Sequence, residues 1–419
     1  MKTLSFKSKA KNLDRGRQMK YIVILGDGMS DEPIEQLNGM TPMEYAKTPM
    51  MDELASKSEI GIVQTIPEGM KPGSDTANLS VLGYDPRQYY TGRSPLEALS
   101  IGVDMADSDV AMRCNIVTLS EDEPNYEDKV MIDHSSDEIS TEEAKELIDA
   151  IKAEFDCEKL QFYLGTSYRH CVIWKNGEVL SFAQPHDILE QKITNYLPEE
   201  DIFLQMQKKS YEILENHPVN QARRAKGLNP ANSLWFWGAG TKPALDLFED
   251  KYGKKGAMIS AVDLLKGIAV GTGLHNIIVE GANGGLHTNY EGKANAAVEA
   301  VTKDGFDFVY VHVEAPDEMG HQGSLEKKIK AIENLDERVT KIVKEGLDSS
   351  GEEYRMIILP DHPTPVRLRT HTSDAVPYLL YDSTNVQEHS WKYNEKEAIA
   401  SGNEYDSGVA LMKYFTRKQ

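Results

Sequence analysis

Cysteine, long apolar runs and net positive charge are all scarce in this chain of 419 residues. Its three cysteines, Cys114, Cys157 and Cys171, match no zinc motif, so we expect reduced thiols and a cytoplasmic protein. No apolar run reaches the roughly 18 residues that a transmembrane helix needs. The net charge of −21 argues against nucleic acid or an anionic membrane as a partner. An anionic substrate would therefore need local positive charge from metal ions or arginines.

The N-terminal segment does not contain the apolar stretch of a secretory signal. Residues 1–18 are basic and polar. We expect them to form a disordered tail, or to precede a start at Met19. The rest of the chain is long enough for two domains, or for one large domain with an insertion.

What the chain does contain is short apolar runs that alternate with helical patterns. This is typical of an α/β protein with a mostly parallel sheet between helices. The predicted strands include 21–25, 257–261, 276–279, 306–313 and 356–359, and the predicted helices include 76–82, 140–155 and 325–343.

The middle of the chain has a different character, with acidic stretches, a short strand pattern at 172–174 and a polar segment at 212–230 that we expect to be irregular. We therefore predict a core formed by residues 19–103 and 235–419. Residues 104–234 would be inserted into it as an α+β domain.

Acidic residues and histidines follow several of the predicted strands. In open α/β sheets, ligands bind at the carboxyl ends of the strands, so we expect these residues to share one edge. Carboxylate and imidazole groups are suitable ligands for a divalent metal. The candidate ligands are Asp27, Asp317, His321, Asp361, His362 and His371.

Ser74 adds a hydroxyl to this set. It follows the Pro72-Gly73 break and precedes a helical pattern, so it would lie at a helix N-terminus, where phosphate binds well. Taken alone, Ser74 fits a helix cap and Asp27 fits a turn residue. The combination is far more specific, and it predicts a metal-dependent site with a serine nucleophile.

The motifs around these residues resemble the alkaline phosphatase superfamily and, within it, the archaeal-type cofactor-independent phosphoglycerate mutases. They extend over most of the chain in a consistent order. The matching segments are 26–29, 72–78, 90–98, 112–115, 167–170, 314–321 and 360–362.

The resemblance implies an alkaline-phosphatase-like core with an inserted cap domain, and two divalent metals. One metal would be held by Asp27, Ser74, Asp361 and His362, and the other by Asp317, His321 and His371. Mn²⁺ or Mg²⁺ is expected, with Zn²⁺ or Co²⁺ as alternatives, and without 2,3-bisphosphoglycerate. Ser74 would accept the phosphoryl group of 3-phosphoglycerate and pass it to the 2-hydroxyl through a phosphoserine intermediate, a reaction of glycolysis and gluconeogenesis.

The resemblance also assigns substrate binding to the cap. The candidate residues are His134, Arg113, Arg169, Arg223 and Arg224. Arginine binds carboxylate or phosphate with two parallel hydrogen bonds. The simpler interpretation is that these arginines form surface ion pairs in an acidic protein.

The sequence departs from the family pattern at Asp137-Glu138, close to His134, where relatives carry Gly-Arg or Gly-His. Because of this departure, phosphoryl acceptors other than glycerate stay among the alternatives. The alternatives are a homoserine kinase-like phosphotransferase, a metal-dependent phosphatase and a non-catalytic binding protein stabilised by metal.

Overall fold

The structure is a computed structural model that describes residues 18–417. The predicted disordered tail therefore lies outside the described residues, apart from Gln18. The strands are β1 Lys20–Gly26, β2 Glu59–Val63, β3 Val110–Leu119, β4 Met131–Asp133, β5 Leu160–Tyr163, β6 Arg169–Trp174, β7 Ser233–Thr241, β8 Gly256–Ile259, β9 His275–Asn276, β10 Phe308–Val313, β11 Tyr354–Leu359, β12 Val376–Asp382 and β13 Glu404–Tyr405.

Helices connect most of these strands. They are α1 Pro42–Tyr45, α2 Pro49–Ala55, α3 Ser74–Val81, α4 Pro86–Tyr89, α5 Arg93–Ser100, α6 Thr141–Phe155, α7 Asp201–Leu214, α8 Pro218–Ala225, α9 Phe248–Tyr252, α10 Asp263–Thr272, α11 Tyr290–Thr302, α12 Ala315–His321, α13 Leu325–Leu335, α14 Lys341–Ser350, α15 Glu395–Ser401 and α16 Gly408–Phe415. A π-helical turn, Asp336–Thr340, joins α13 to α14.

The larger sheet has eight strands in the order β13-β2-β12-β11-β1-β10-β8-β9. Its pairs are parallel except for those that β12 makes with β11 and β2. Alternate residues of β1 face two apolar clusters, with Ile22 and Ile24 on one side and Val23 and Leu25 on the other. Helices therefore cover both faces, and the predicted α/β fold with a mostly parallel sheet is confirmed.

The second sheet is antiparallel and comes from the middle of the chain. Its order is β4-β3-β6-β5, and β7 pairs with β3. Buried residues of α6 and α7, among them Leu147 and Phe203, pack against one of its faces. The final strand β7 extends past residue 234, the end predicted for the inserted segment.

The two sheets meet where β3 begins and β7 ends. Val110 is the register partner of Thr241, so the chain enters and leaves the second sheet at adjacent positions. Helix α5 packs against β3, β7 and α10. Ala98, Val103 and Ala111 belong to the apolar cluster at this joint.

The prediction that 212–230 is irregular is wrong, because α7 continues to Leu214 and α8 occupies Pro218–Ala225. The polar residues that suggested a loop are bonded inside the fold. Asn220 donates to the carbonyl groups of Leu214 and Ala231. Buried polar groups that have such partners are compatible with a packed helix.

None of the helices described within residues 18–417 has the length and apolar character that a membrane crossing requires.

Candidate active site

Three adjacent parallel strands of the large sheet end at one edge, and an acidic residue follows each of them. Asp27 follows β1, Asp361 comes shortly after β11, and Asp317 lies in the first turn of α12 after β10. Residues more than three hundred positions apart, such as Asp27 and Asp361, therefore converge at the carboxyl end of the sheet.

Ser74 is the first residue of α3 and lies at the same edge of the sheet, in contact with His362. Its Oγ is 3.1 Å from His362 Nε2. One turn later, Asn78 donates from Nδ2 to the Ser74 carbonyl and to Asp361 Oδ2, each at 2.8 Å. The first turn of α3 thus ties the serine to the strand-end carboxylate, and its dipole favours a negatively charged group at Ser74.

The inner ligand group consists of Asp27, Asp361 and His362, all of them buried. Their ligand atoms lie within 4.8 Å of one another. His362 Nε2 is 3.4 Å from Asp361 Oδ2 and 3.6 Å from Asp27 Oδ1. Among the described residues, Asp27 Oδ1 has no hydrogen-bond partner.

The outer ligand group consists of Asp317, His362 and His371, whose ligand atoms also lie within 4.8 Å of one another. His321 joins this group, since its Nε2 is 3.2 Å from Asp317 Oδ2 and 2.9 Å from His371 Nε2. His362 is shared by the two groups, whereas the resemblance assigned it to the inner one.

The charges of this cluster are poorly balanced without a cation. Burial raises the pKa of Asp27 well above its usual range, and the nearby Asp361 and Asp317 carboxylates act in the same direction. Burial also opposes charge on Asp317, but hydrogen bonds with His321 and His371 hold its pKa well below normal.

A divalent cation fits this arrangement in three respects. The cluster contains an unpartnered buried carboxylate oxygen, three carboxylates close together and two imidazole Nε2 atoms that face each other. Oxygen and imidazole donors suit Mn²⁺, Mg²⁺, Zn²⁺ and Co²⁺. Positive charge between these groups would relieve the repulsion that raises the pKa of Asp27.

His312 extends the cluster from within the buried strand β10. Its Nε2 is 2.9 Å from Asp27 Oδ2 and its Nδ1 is 3.0 Å from Glu314 Oε1. Burial lowers the pKa of His312, but Glu314 and Asp27 outweigh it and raise that pKa to about 10. Lys293 Nζ completes this buried chain of charges, 2.8 Å from Glu314 Oε2.

Thr364 is a second residue that the sequence did not reveal. Its Oγ1 is 2.5 Å from Asp317 Oδ1 and 3.3 Å from His362 Nδ1. It thereby contacts a residue of the outer group and the histidine that both groups share.

His134 and Arg169 lie in the second sheet and its adjoining loop, as does Arg113. The His134 ring packs edge-on against Tyr168 and His186, and within residues 18–417 its Nδ1 has no hydrogen-bond partner. Arg113 and Arg169 line a cavity of about 330 Å³ that also contacts the larger sheet's loops.

Arg223 and Arg224, the other two predicted substrate-binding residues, are bonded elsewhere. The Arg223 guanidinium is buried and donates to Glu143 Oε2 and the Ser136 carbonyl, each at 2.5 Å. Arg224 pairs with Glu121. The structure does not bring either residue to the ligand groups.

Comparison with known proteins identifies the family to which this chain is similar. A family model described as 2,3-bisphosphoglycerate-independent phosphoglycerate mutase matches residues 55–220. The protein of that name from Methanosarcina barkeri is 48% identical over 92% of this chain and 96% of its own length. The one from Methanosarcina acetivorans is 46% identical, with the same coverage of 92% and 96%.

Solved structures are also similar to this chain. A protein from Pyrococcus horikoshii superposes with a TM-score of 0.79 at 31% identity, covering 96% of this chain and 99% of the other. The cofactor-independent phosphoglycerate mutase from Thermoplasma acidophilum superposes with a TM-score of 0.64 at 25% identity, covering 95% and 98%.

Proposed function

This chain belongs to the family of 2,3-bisphosphoglycerate-independent phosphoglycerate mutases, and from that premise we propose that Ser74 carries the phosphoryl group between the two hydroxyls of glycerate. The enzyme interconverts 3-phosphoglycerate and 2-phosphoglycerate. The observation that supports the serine is its position at the start of α3, with Oγ 3.1 Å from His362 Nε2.

The proposed metal ligands are the two groups that meet at His362. Asp27 and Asp361 would hold one ion beside Ser74, and Asp317, His321 and His371 would hold the other. Bound there, divalent ions stabilise the negative charge of the transferring phosphoryl group and make the serine hydroxyl a better nucleophile. Mn²⁺ or Mg²⁺ suits a site that offers carboxylate and imidazole and no thiolate.

The reaction consists of two transfers that together conserve every atom. In the first, a bond forms between Ser74 Oγ and phosphorus, the bond from phosphorus to the C3 oxygen breaks, and the serine proton ends on that oxygen. In the second, the C2 oxygen bonds to phosphorus, the bond to Ser74 Oγ breaks, and the C2 hydroxyl proton returns to the serine. His134 is the proposed proton carrier, since its Nδ1 has no hydrogen-bond partner in the part of the chain that the structure describes.

The second sheet has a proposed role as a cap on this site. Glycerate must stay bound between the transfers, and water must not reach the phosphoserine. His134, Arg113 and Arg169 would contact the substrate, whereas Arg223 and Arg224 have internal partners. We place the cap boundary near Thr241, where β7 ends, and the enzyme in the cytoplasm, since its three cysteines are free thiols.

The experiment is a coupled assay on the pure protein. We expect 3-phosphoglycerate and Mn²⁺ without bisphosphoglycerate to yield 2-phosphoglycerate, detected through enolase. Ser74→Ala should lower the rate by at least about 10³-fold and leave the melting temperature unchanged. Ser56→Ala, at the end of α2, is the control and should retain full activity.

Three outcomes would contradict the proposal. Release of inorganic phosphate as the main product would indicate a phosphatase. Phosphorylation of homoserine, with no mutase reaction, would indicate a kinase-like enzyme. Full activity of Ser74→Ala would remove the serine from the mechanism.

A further inference from the structure

One lysine is fully buried beside the loops that carry the metal ligands. Lys328 belongs to α13, and its side chain has no exposed surface. Its Nζ donates to the carbonyl oxygens of Ser30 at 3.1 Å and Thr364 at 2.8 Å. It also donates to Asp31 Oδ2 at 2.8 Å. The three protons of the ammonium group therefore each have an acceptor, and a carboxylate that is 1% exposed balances its charge.

The two carbonyl groups come from the two loops that supply the inner ligand group. Ser30 is three residues after Asp27. Thr364 is two residues after His362. The loops also contact each other directly, because the Thr364 amide donates to the Ser30 carbonyl at 3.2 Å. Lys328 thus binds both loops at the point where they meet.

Asp31 adds a further connection between the same two loops. Its Oδ2 accepts from the Val366 amide at 3.1 Å as well as from Lys328. The Asp31 amide donates to Glu395 Oε1 at 3.2 Å, which fixes the backbone on the other side of this residue. The ion pair is therefore part of a set of hydrogen bonds that runs from one ligand loop to the other.

The outer ligand group is connected to Lys328 through Thr364. The Thr364 carbonyl accepts from Lys328, while its Oγ1 contacts Asp317 Oδ1 and His362 Nδ1. Helix α12, which carries Asp317, approaches the same carbonyl closely, since a Cβ at Gly320 would lie 2.6 Å from this oxygen. One ammonium group therefore contacts, directly or through Thr364, the ligand segments that follow β1, β10 and β11.

We propose that Lys328 is a positioning residue that sets the spacing between the two ligand groups before metal binds. The proposal rests on the proposed function, in particular on its metal ligands. Bonds from one ammonium group to both loops would keep Asp27 and His362 close together against the repulsion among the neighbouring carboxylates. The alternative is a buried ion pair that only neutralises Asp31, and the experiment separates the two roles.

Lys328→Met removes the ammonium group and keeps a flexible, unbranched side chain in the core. We expect the dissociation constant for Mn²⁺, measured by calorimetric titration of the metal-free protein, to rise about 10–100-fold. Lys330→Met is the matched control, because Lys330 lies on the same helix with a side chain that is 53% exposed. Its Mn²⁺ affinity should equal that of the wild type.

A double variant, Lys328→Met with Asp31→Asn, distinguishes positioning from simple neutralisation of charge. It leaves no uncompensated ion of this pair in the interior, so the metal-free protein should regain most of the melting temperature that Lys328→Met loses. Its Mn²⁺ affinity should stay low, because the carbonyl groups of Ser30 and Thr364 still lack their common donor. Recovery of both properties would overturn the positioning role, as would wild-type Mn²⁺ affinity in either variant. The double variant also serves as the test if Lys328→Met fails to fold.

Electron paramagnetic resonance reports the spacing itself, since two Mn²⁺ ions that lie close together couple magnetically. We expect a coupled spectrum from the wild type and from Lys330→Met with two equivalents of Mn²⁺. The spectrum of Lys328→Met should instead be mainly that of uncoupled ions. A coupled spectrum in Lys328→Met at wild-type affinity would refute the role of Lys328 alone. If the wild type binds fewer than two Mn²⁺ ions, the proposed metal site itself fails, so the two failures are distinguishable.

Discussion

At the scale of single residues, the hydroxyl of Thr364 contacts two side chains of the ligand cluster. It lies 2.5 Å from Asp317 Oδ1 and 3.3 Å from His362 Nδ1. Groups of this kind orient metal ligands without binding the metal, and their loss commonly lowers metal affinity about 10–100-fold.

Replacing Thr364 with Val should therefore weaken metal binding. The hydroxyl is lost at nearly constant volume, so Asp317 and His362 lose a common partner. We expect the dissociation constant for Mn²⁺, measured by calorimetric titration, to rise about 10–100-fold. Thr364→Ser retains the hydroxyl and should stay within a few-fold of wild type; equal Mn²⁺ affinity in the Val variant would exclude this role.

Sequence patterns alone could not assign residues outside the motifs to the site. His312 lies in a strand whose other members are apolar, and only the pairing of β1 with β10 brings it to Asp27. Such contacts are set by tertiary packing rather than by residue type.

At the scale of elements, the turn after β1 must pass between two parts of the ligand cluster. Gly28 there has a φ of +60°, and its amide donates to Asp361 Oδ1 at 3.1 Å. A Cβ at this position would lie 2.5 Å from Thr364 Oγ1 and 2.7 Å from Asp317 Cα. The turn therefore requires glycine for both its backbone conformation and its close approach.

Gly28→Ala should be much more harmful than Gly39→Ala. Gly39 also has a positive φ of +80°, but a Cβ there would have no atom of the described residues within 4 Å. We expect losses in unfolding free energy of about 2–5 kcal/mol for Gly28→Ala and about 1–2 kcal/mol for Gly39→Ala, measured by urea denaturation. Similar losses in both variants would mean that the close approach is unimportant.

The sequence pattern predicted which segments form helices or strands. It did not predict where these elements end or how they are connected. The helix predicted at 325–343 exists, yet it continues to Ser350 through a π-helical turn. The strand predicted at 276–279 is reduced to His275–Asn276, because β9 is at the edge of the sheet and, among the strands described in residues 18–417, pairs only with β8. Periodicity identifies a buried strand, whereas its length depends on the neighbours available for pairing.

At the scale of the whole molecule, the ligand cluster places three carboxylates close together at the carboxyl end of the large sheet. Their repulsion is part of what raises the pKa of Asp27. An ion that binds only the folded state adds to stability in proportion to the logarithm of its concentration.

Removing metal with a chelator should thus lower the melting temperature, and Mn²⁺ should restore it. Asp27→Asn removes one of the repelling charges together with one ligand. Without metal, this variant should melt at or above the temperature of the metal-free wild type, and Mn²⁺ should shift it by less. A wild-type melting curve that does not respond to the chelator or to Mn²⁺, in calorimetry, would contradict a resident metal pair.

The register pair of Val110 and Thr241 has a consequence for how this enzyme can evolve. Since the chain enters and leaves the second sheet at adjacent points, recombination could exchange the whole intervening stretch of gene for another while the flanking sequence keeps its geometry. With the proposed role of the second sheet as a cap, selection can then act on the choice of acceptor and on the phosphoryl chemistry as two separately inherited traits.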